Sequence, residues 1–188
     1  MFNLIQGFDT YIFNAVWPLS QAFSFIKVLV VFFGNYLAYL TVVIFLIQLV
    51  RLRDRLKIIK TSIFILLAEI INRGLVTETI RFFFYRQRPF EYFHLTPLFD
   101  HVVEASFPSG HAVFFFTLAF CLWFSKEKKA FSYFLMATLI SLGRVMAGVH
   151  WFSDIAFGAI IAFGGTLLVN YFLNPELFKK IAKPVLKP

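Results

Sequence analysis

Charge and cysteine are what this sequence has least of. Only 15% of its 188 residues are charged, where a soluble domain carries roughly 25%. Its one cysteine, Cys121, lies inside an apolar run, which excludes an intramolecular disulfide and leaves the redox compartment unread. No Lys or Arg precedes Lys27. A cleaved leader opens on a basic segment, so the N-terminal residues are expected to be retained. Internal repeats and low-complexity linkers are also missing, and the chain reads as one membrane-embedded domain over 1–188.

Apolar residues are in excess. They make up 60% of the chain and include 28 phenylalanines, more aromatic surface than a small soluble core can bury. Lipid is therefore the expected solvent, and the expected fold is an all-α integral membrane protein. A spanning helix needs about 20 mostly apolar residues. Residues 26–50, 61–84, 109–125, 130–147 and 151–173 supply five such runs. Residues 1–20 contain Asp9 and approach Trp17-Pro18, which suits an amphipathic helix lying in the interface. If they span instead, the bundle has six transmembrane helices.

The net charge is +8. Such a charge marks either a nucleic-acid footprint or the positive-inside bias of a membrane protein, and its placement decides. Arg51, Arg53, Arg55, Lys57 and Lys60 lie in the segment 51–60. Lys126, Lys128 and Lys129 lie in the segment 126–129, and Lys179, Lys180, Lys183 and Lys187 in the tail 174–188. These basic clusters lie between or after apolar runs, so they are expected to face the cytoplasm, with no nucleic-acid partner. Tracing the helices from there brings the remaining polar clusters to the extracytoplasmic face.

Three of those clusters carry chemistry. Arg81 and Arg88, seven apart before Pro89, would share a face of a helix. There they would either hold a phosphate by bidentate bonds or snorkel at a helix end. Arg86 is expected elsewhere, at the interface. Ser109-Gly110-His111 opens an apolar run, where Ser109 suits an N-cap and the following N–H groups make an anion site. His111 beside that anion would donate a proton to a leaving oxygen, unless it is a bystander to a capped helix. His150 and Asp154 are four apart, after Arg144. The carboxylate would fix the imidazole tautomer and free the other nitrogen to attack, or the two form a structural pair. Metal binding lacks a third strong ligand nearby. Glu69 and Arg73, also four apart, are expected to pair inside the bundle.

Together, Arg81-x6-Arg88-Pro89, Pro108-Ser109-Gly110-His111 and Gly143-Arg144-x5-His150-x3-Asp154 resemble the three signature motifs of the type 2 phosphatidic acid phosphatase superfamily. The likeness is strongest to its bacterial undecaprenyl-diphosphate phosphatases. Arg81 stands where that pattern has lysine, and Gly143 where it has serine. The resemblance implies a hydrolase that acts on a lipid phosphate or diphosphate without metal or other cofactor. His150 would form a phosphohistidine, Asp154 would orient it, and His111 would serve as acid and then base. Arg81, Arg88, Ser109, Gly110 and Arg144 would hold phosphate oxygens. A phosphatase of phosphatidate or phosphatidylglycerophosphate stays open as an alternative. So does a non-enzymatic lipid-binding protein, although mere binding has no need of a nucleophile.

Overall fold

Helix is the only regular structure among residues 2–51 and 54–174, which the computed structural model describes. The basic tail lies outside the described residues from 175 onward. Helix α1 runs Phe2–Ala22. Next comes one continuous helix from Ser24 to Arg51, made of α2 (Ser24–Val31), a π-helical stretch (Phe32–Tyr36) and α3 (Leu37–Arg51). Its partner has the same construction: α4 (Arg55–Glu69), a π-helical stretch (Ile70–Thr77) and α5 (Glu78–Phe83). A short α6 (Pro89–Tyr92), then α7 (Gly110–Phe124), α8 (Ala130–Met146) and α9 (Phe152–Leu173) complete the chain.

The predicted helices match these bounds closely except at one point. The segment 51–60 is expected as a loop, yet α4 begins at Arg55. Asp54 is the reason: its carboxylate accepts the amide of Lys57 at 3.1 Å and caps the helix, turning basic loop residues into its first turn.

Helix α7 is the hub. It packs on α8, α9 and α4, and buries Ala112, Val113, Phe115, Leu118, Ala119 and Leu122. The outside of the bundle is apolar. The helix Ser24–Arg51 has a mean hydropathy of 2.2 with only 28% of its apolar window buried, and Phe152–Leu173 has 1.8 with 39% buried. The core helix of a soluble protein would hide that surface. These helices turn it outward, and 22 residues extend about 33 Å, close to the hydrocarbon thickness of a bilayer.

The bundle has two chemically distinct ends. At one end Lys57 pairs with Glu127 at 2.7 Å, which joins the start of α4 to the turn between α7 and α8. Arg51, Lys126, Lys128 and Lys129 line a cleft there. His101, His111 and His150 lie at the other end, with Arg81, Arg86, Arg88 and Arg144.

The close packing at that second end depends on glycine. A Cβ built on Gly143 would stand 2.5 Å from the backbone nitrogen of Gly34, inside the π-helical stretch. A serine here, as in the superfamily pattern, has no room.

Candidate active site

Arg81 and Arg88 do meet, although not as helix-face neighbours. Helix α5 stops at Phe83, Phe84 is extended (φ −134°, ψ 91°), and Arg88 is held extended (φ −75°, ψ 157°) by the ring of Pro89 that follows. The chain turns inward and the two guanidiniums converge on Glu104. Its Oε1 lies 2.9 Å from Arg88 Nη2 and 3.7 Å from Arg81 Nη1. Arg81 also donates from Nε and Nη2 to the carbonyl of Pro108, at 3.3 and 3.2 Å. A lysine cannot reproduce that fork, which gives the Arg81 departure a geometric role.

Arg88 is fully buried. Its Nη1 donates to Val149 O at 2.7 Å and lies 3.2 Å from Nε2 of His150. A guanidinium only donates, so Nε2 carries the lone pair and the proton of His150 sits on Nδ1. That proton faces Asp154, with Nδ1 and Oδ2 3.4 Å apart. Burial first, then the charges of Arg88 and Arg144, holds His150 well below the ordinary imidazole range, so the ring is neutral.

His150 and Asp154 are not one turn apart on a helix, contrary to the spacing argument. His150 precedes α9, in a turn whose backbone is set by Gly148 at φ +81°. Asp154 lies in the first turn of α9 and reaches back, its Oδ2 accepting the amide of Trp151 at 2.8 Å and the hydroxyl of Ser106. Its Oδ1 accepts Arg86 Nη1 at 2.7 Å.

Arg86 corrects the sequence reading most sharply. Expected at the interface, it is buried at the back of the site, because the extended stretch 84–88 carries it inward. Its Nη2 donates to Asp9 Oδ2 at 2.6 Å and to Gln6 Oε1 at 2.9 Å, and its guanidinium lies over the ring of Trp151. Asp9 in turn accepts the amide of Ser153 at 2.9 Å. Helix α1 thus supplies an acidic group to the support of Asp154.

Arg144, at the end of α8, is buried. It donates to Gly34 O at 3.1 Å and from Nη2 to His101 Nε2 at 2.7 Å. Arg144 can only donate, so the proton of His101 sits on Nδ1, which donates to Val102 O at 3.0 Å. The rings of His101 and His150 are 6.1 Å apart. Ser109 caps α7, with Oγ accepting the amide of Ala112 at 3.4 Å. In that first turn the N–H groups of Gly110 and His111 have no acceptor within the helix.

The expected Glu69–Arg73 hydrogen-bonded pair is not formed. Arg73 pairs with Glu78, while both carboxylate oxygens of Glu69 lack a hydrogen-bond partner among the described residues. The π-helical stretch Ile70–Thr77 is the cause. Its i→i+5 geometry makes residues five apart neighbours, as Arg73 and Glu78 are.

The arrangement therefore offers a neutral, oriented imidazole beside buried guanidiniums and a helix N-terminus. Residues 62–177 match the PAP2 superfamily. The chain belongs to that family. It is a membrane lipid phosphatase, and several similar proteins have been described. Bacitracin transport permease protein BcrC of Bacillus licheniformis is 25% identical over 167 residues, covering 88% of this chain and 80% of BcrC. Lipid A 1-phosphatase of Rhizobium etli is 35% identical over 108 residues, covering 53% of this chain and 44% of that protein. Among solved structures, LpxE of Aquifex aeolicus superimposes with a TM-score of 0.68 at 24% identity, covering 85% of this chain and 93% of that one. The phosphatidylglycerolphosphate phosphatase of Bacillus subtilis gives 0.63 at 22%, covering 92% and 88%. The PAP2 fold is thus shared by proteins whose names point to different lipids.

Sequence reasoning about this PAP2 site missed Asp9, Arg86, His101, Glu104 and Ser106. Only Asp9 gave a signal, as an acidic residue among apolar ones with no partner nearby in sequence.

Proposed function

We propose that the protein hydrolyses a long-chain polyprenyl diphosphate, undecaprenyl diphosphate in particular, to the monophosphate and inorganic phosphate. The reaction takes place at the outer face of the plasma membrane. The observation that carries this reading is the tautomer of His150: Nδ1–H toward Asp154, and the Nε2 lone pair toward Arg88.

Nε2 attacks the terminal phosphorus and forms an N–P bond. The bond from phosphorus to the bridging oxygen breaks, and the leaving monophosphate takes its electron pair. His111 supplies the proton. Water then attacks the phosphohistidine, His111 accepts the water proton, and inorganic phosphate leaves with His150 regenerated. Arg81, Arg88, Arg144 and the first-turn amides of α7 stabilise the equatorial oxygens. Asp154 keeps the proton on Nδ1 throughout and offsets the charge that develops on the ring.

The number of buried or half-buried arginines supports a diphosphate, which brings more charge than a monoester and a better leaving group. The outward orientation draws on the basic residues gathered at the opposite end of the bundle, which the positive-inside rule assigns to the cytoplasm. Helix α1 is read as lying in the interface. A second reading, hydrolysis of a lipid phosphomonoester such as phosphatidate or phosphatidylglycerophosphate, draws on the 35% identity to a protein named as a lipid A 1-phosphatase.

The test is a ratio of kcat/KM for undecaprenyl diphosphate against phosphatidate and phosphatidylglycerophosphate in matched detergent micelles. The diphosphate is expected to win. A glycerophospholipid preferred tenfold, about 1.4 kcal/mol in transition-state binding, makes the second reading the better one.

A further inference from the structure

We infer that Arg73 holds the second, non-reacting phosphate of a diphosphate substrate and so selects diphosphates over monoesters. The inference rests on the diphosphate reading above.

Three arginines and two carboxylates alternate along one side of the site. Glu104 bridges Arg88 and Arg81. Glu78 bridges Arg81, at 3.7 Å, and Arg73. Both carboxylates are about half exposed, with side-chain accessibilities of 48% and 52%, whereas Arg88 is fully buried and Arg81 nearly so, at 0% and 11%. Arg88 and Arg81 are thus fixed, Arg73 is the more open of the three at 36%, and the exposed carboxylates are the exchangeable partners. The series therefore presents two adjacent anion positions, one between Arg88 and Arg81 and one between Arg81 and Arg73. A diphosphate is two anions joined by one oxygen. The first position adjoins Nε2 of His150, through the 3.2 Å contact with Arg88, so the terminal phosphate belongs there.

The second position adjoins the acid. A Cβ on Gly110 would stand 2.8 Å from Nε of Arg73, so the guanidinium lies against the backbone that opens α7, beside His111. Arg73, Gly110 and His111 line a cavity of about 240 Å³ together with Tyr39, Val42 and Phe114. A phosphate beside Arg73 thus sits within a group that contains the proton donor, with an apolar wall beyond it for the first prenyl units. The π-helical stretch makes this possible. In it Arg73 bonds Glu78 in place of the buried carboxylate of Glu69, and lies against Gly110 of α7.

The inference separates two kinds of substrate. For a diphosphate, Arg73 neutralises charge on the leaving monophosphate and acts in both binding and turnover. For a monoester with a single phosphate, such as undecaprenyl monophosphate or phosphatidate, Arg73 has no second phosphate to hold.

The experiment measures kcat/KM of the full-length chain for undecaprenyl diphosphate and undecaprenyl monophosphate. It also measures competitive inhibition by inorganic pyrophosphate and by phosphate. Arg73→Gln should lower kcat/KM for the diphosphate roughly ten- to a hundredfold, the span of a lost charge-assisted contact, and change the monophosphate by less than about twofold. The Ki of pyrophosphate should rise by a similar factor while that of phosphate stays put. Arg73→Lys keeps the charge without the fork and should give a smaller loss of the same selective kind; it decides the matter if the Gln variant does not fold. An equal loss on both substrates, or no loss on either, overturns the inference. A wild-type enzyme that prefers phosphatidate overturns the substrate reading, and the selective effect of Arg73 is still read on the diphosphate. Absence of selectivity in an enzyme that does prefer diphosphate overturns the role of Arg73 alone.

Discussion

Nη1 of Arg88 stands 3.2 Å from Nε2 of His150, so the nitrogen that would attack phosphorus faces a cation that would hold the phosphate. In the proposed mechanism substrate enters between the two and converts one contact into two. His150→Ala is accordingly expected to abolish turnover, with no acid-labile phosphoenzyme in a rapid-quench experiment, and a chelator is expected to leave the wild type unaffected. Loss of activity in chelator restored by added zinc would overturn the phosphohistidine mechanism. His111→Ala is expected to lose about 10²–10⁴-fold, and to lose least on substrates with good leaving groups.

His101 gives a pH dependence of stability. Burial, and next the charge of Arg88, lowers its imidazole from 6.5 to about 4. Between those values the unfolded chain binds a proton that the folded protein excludes. Stability therefore rises with pH across this window and is lost as pH falls from about 6.5 toward 4. Thermal unfolding in detergent should show Tm dropping over that range, and His101→Gln should flatten the drop.

The group Asp9–Arg86–Asp154 is a buried network of two carboxylates sharing one guanidinium. Replacing Arg86 with Met leaves both carboxylates facing each other without a cation, and the expected cost is about 3–5 kcal/mol. Adding Asp9→Asn to that variant should recover part of the loss. Equilibrium unfolding of the single and double variants checks this; simple additivity would count against a coupled network.

Gly143→Ser restores the residue of the superfamily pattern and is expected to harm this protein. Its Cβ would meet Gly34 N at 2.5 Å, and overpacking of this kind costs about 1–3 kcal/mol. A Tm equal to that of the wild type would show that the two helices can part at no cost.

Topology is tested with single cysteines at Asp54 and Pro97 in a Cys121→Ala background. An impermeant thiol reagent applied to intact cells should label the second and spare the first. The reverse pattern would put the site on the other face.

The sequence made the helices legible because their apolar runs are long and bounded by charge, Pro or Gly. It made the main polar clusters legible because polar residues amid apolar ones stand out. What it could not show was how those residues meet. Arg81 and Arg88 are brought together by an extended turn, His150 and Asp154 by a pre-helix turn, and Arg73 and Glu78 by a π-helical stretch. A reading based on 3.6 residues per turn brings the first two pairs together by the wrong geometry and gives Arg73 the wrong partner. Arg86 was misplaced for the same reason, and the roles of Glu104 and Ser106 depend on tertiary contacts to residues 16 and 48 positions away, which no local pattern encodes.

Asp9 lies 2.6 Å from Arg86, Arg86 lies 2.7 Å from Asp154, and Asp154 lies 3.4 Å from the imidazole of His150. Three links tie the carboxylate on α1 to Nδ1 of His150, across the ring from the nitrogen that would attack. A fusion partner or affinity tag that drags α1 away from α9 would therefore be a remote lesion. It would leave every signature residue in place and still untether the aspartate behind His150, so an inactive preparation tagged at its front end is no proof of an inactive enzyme.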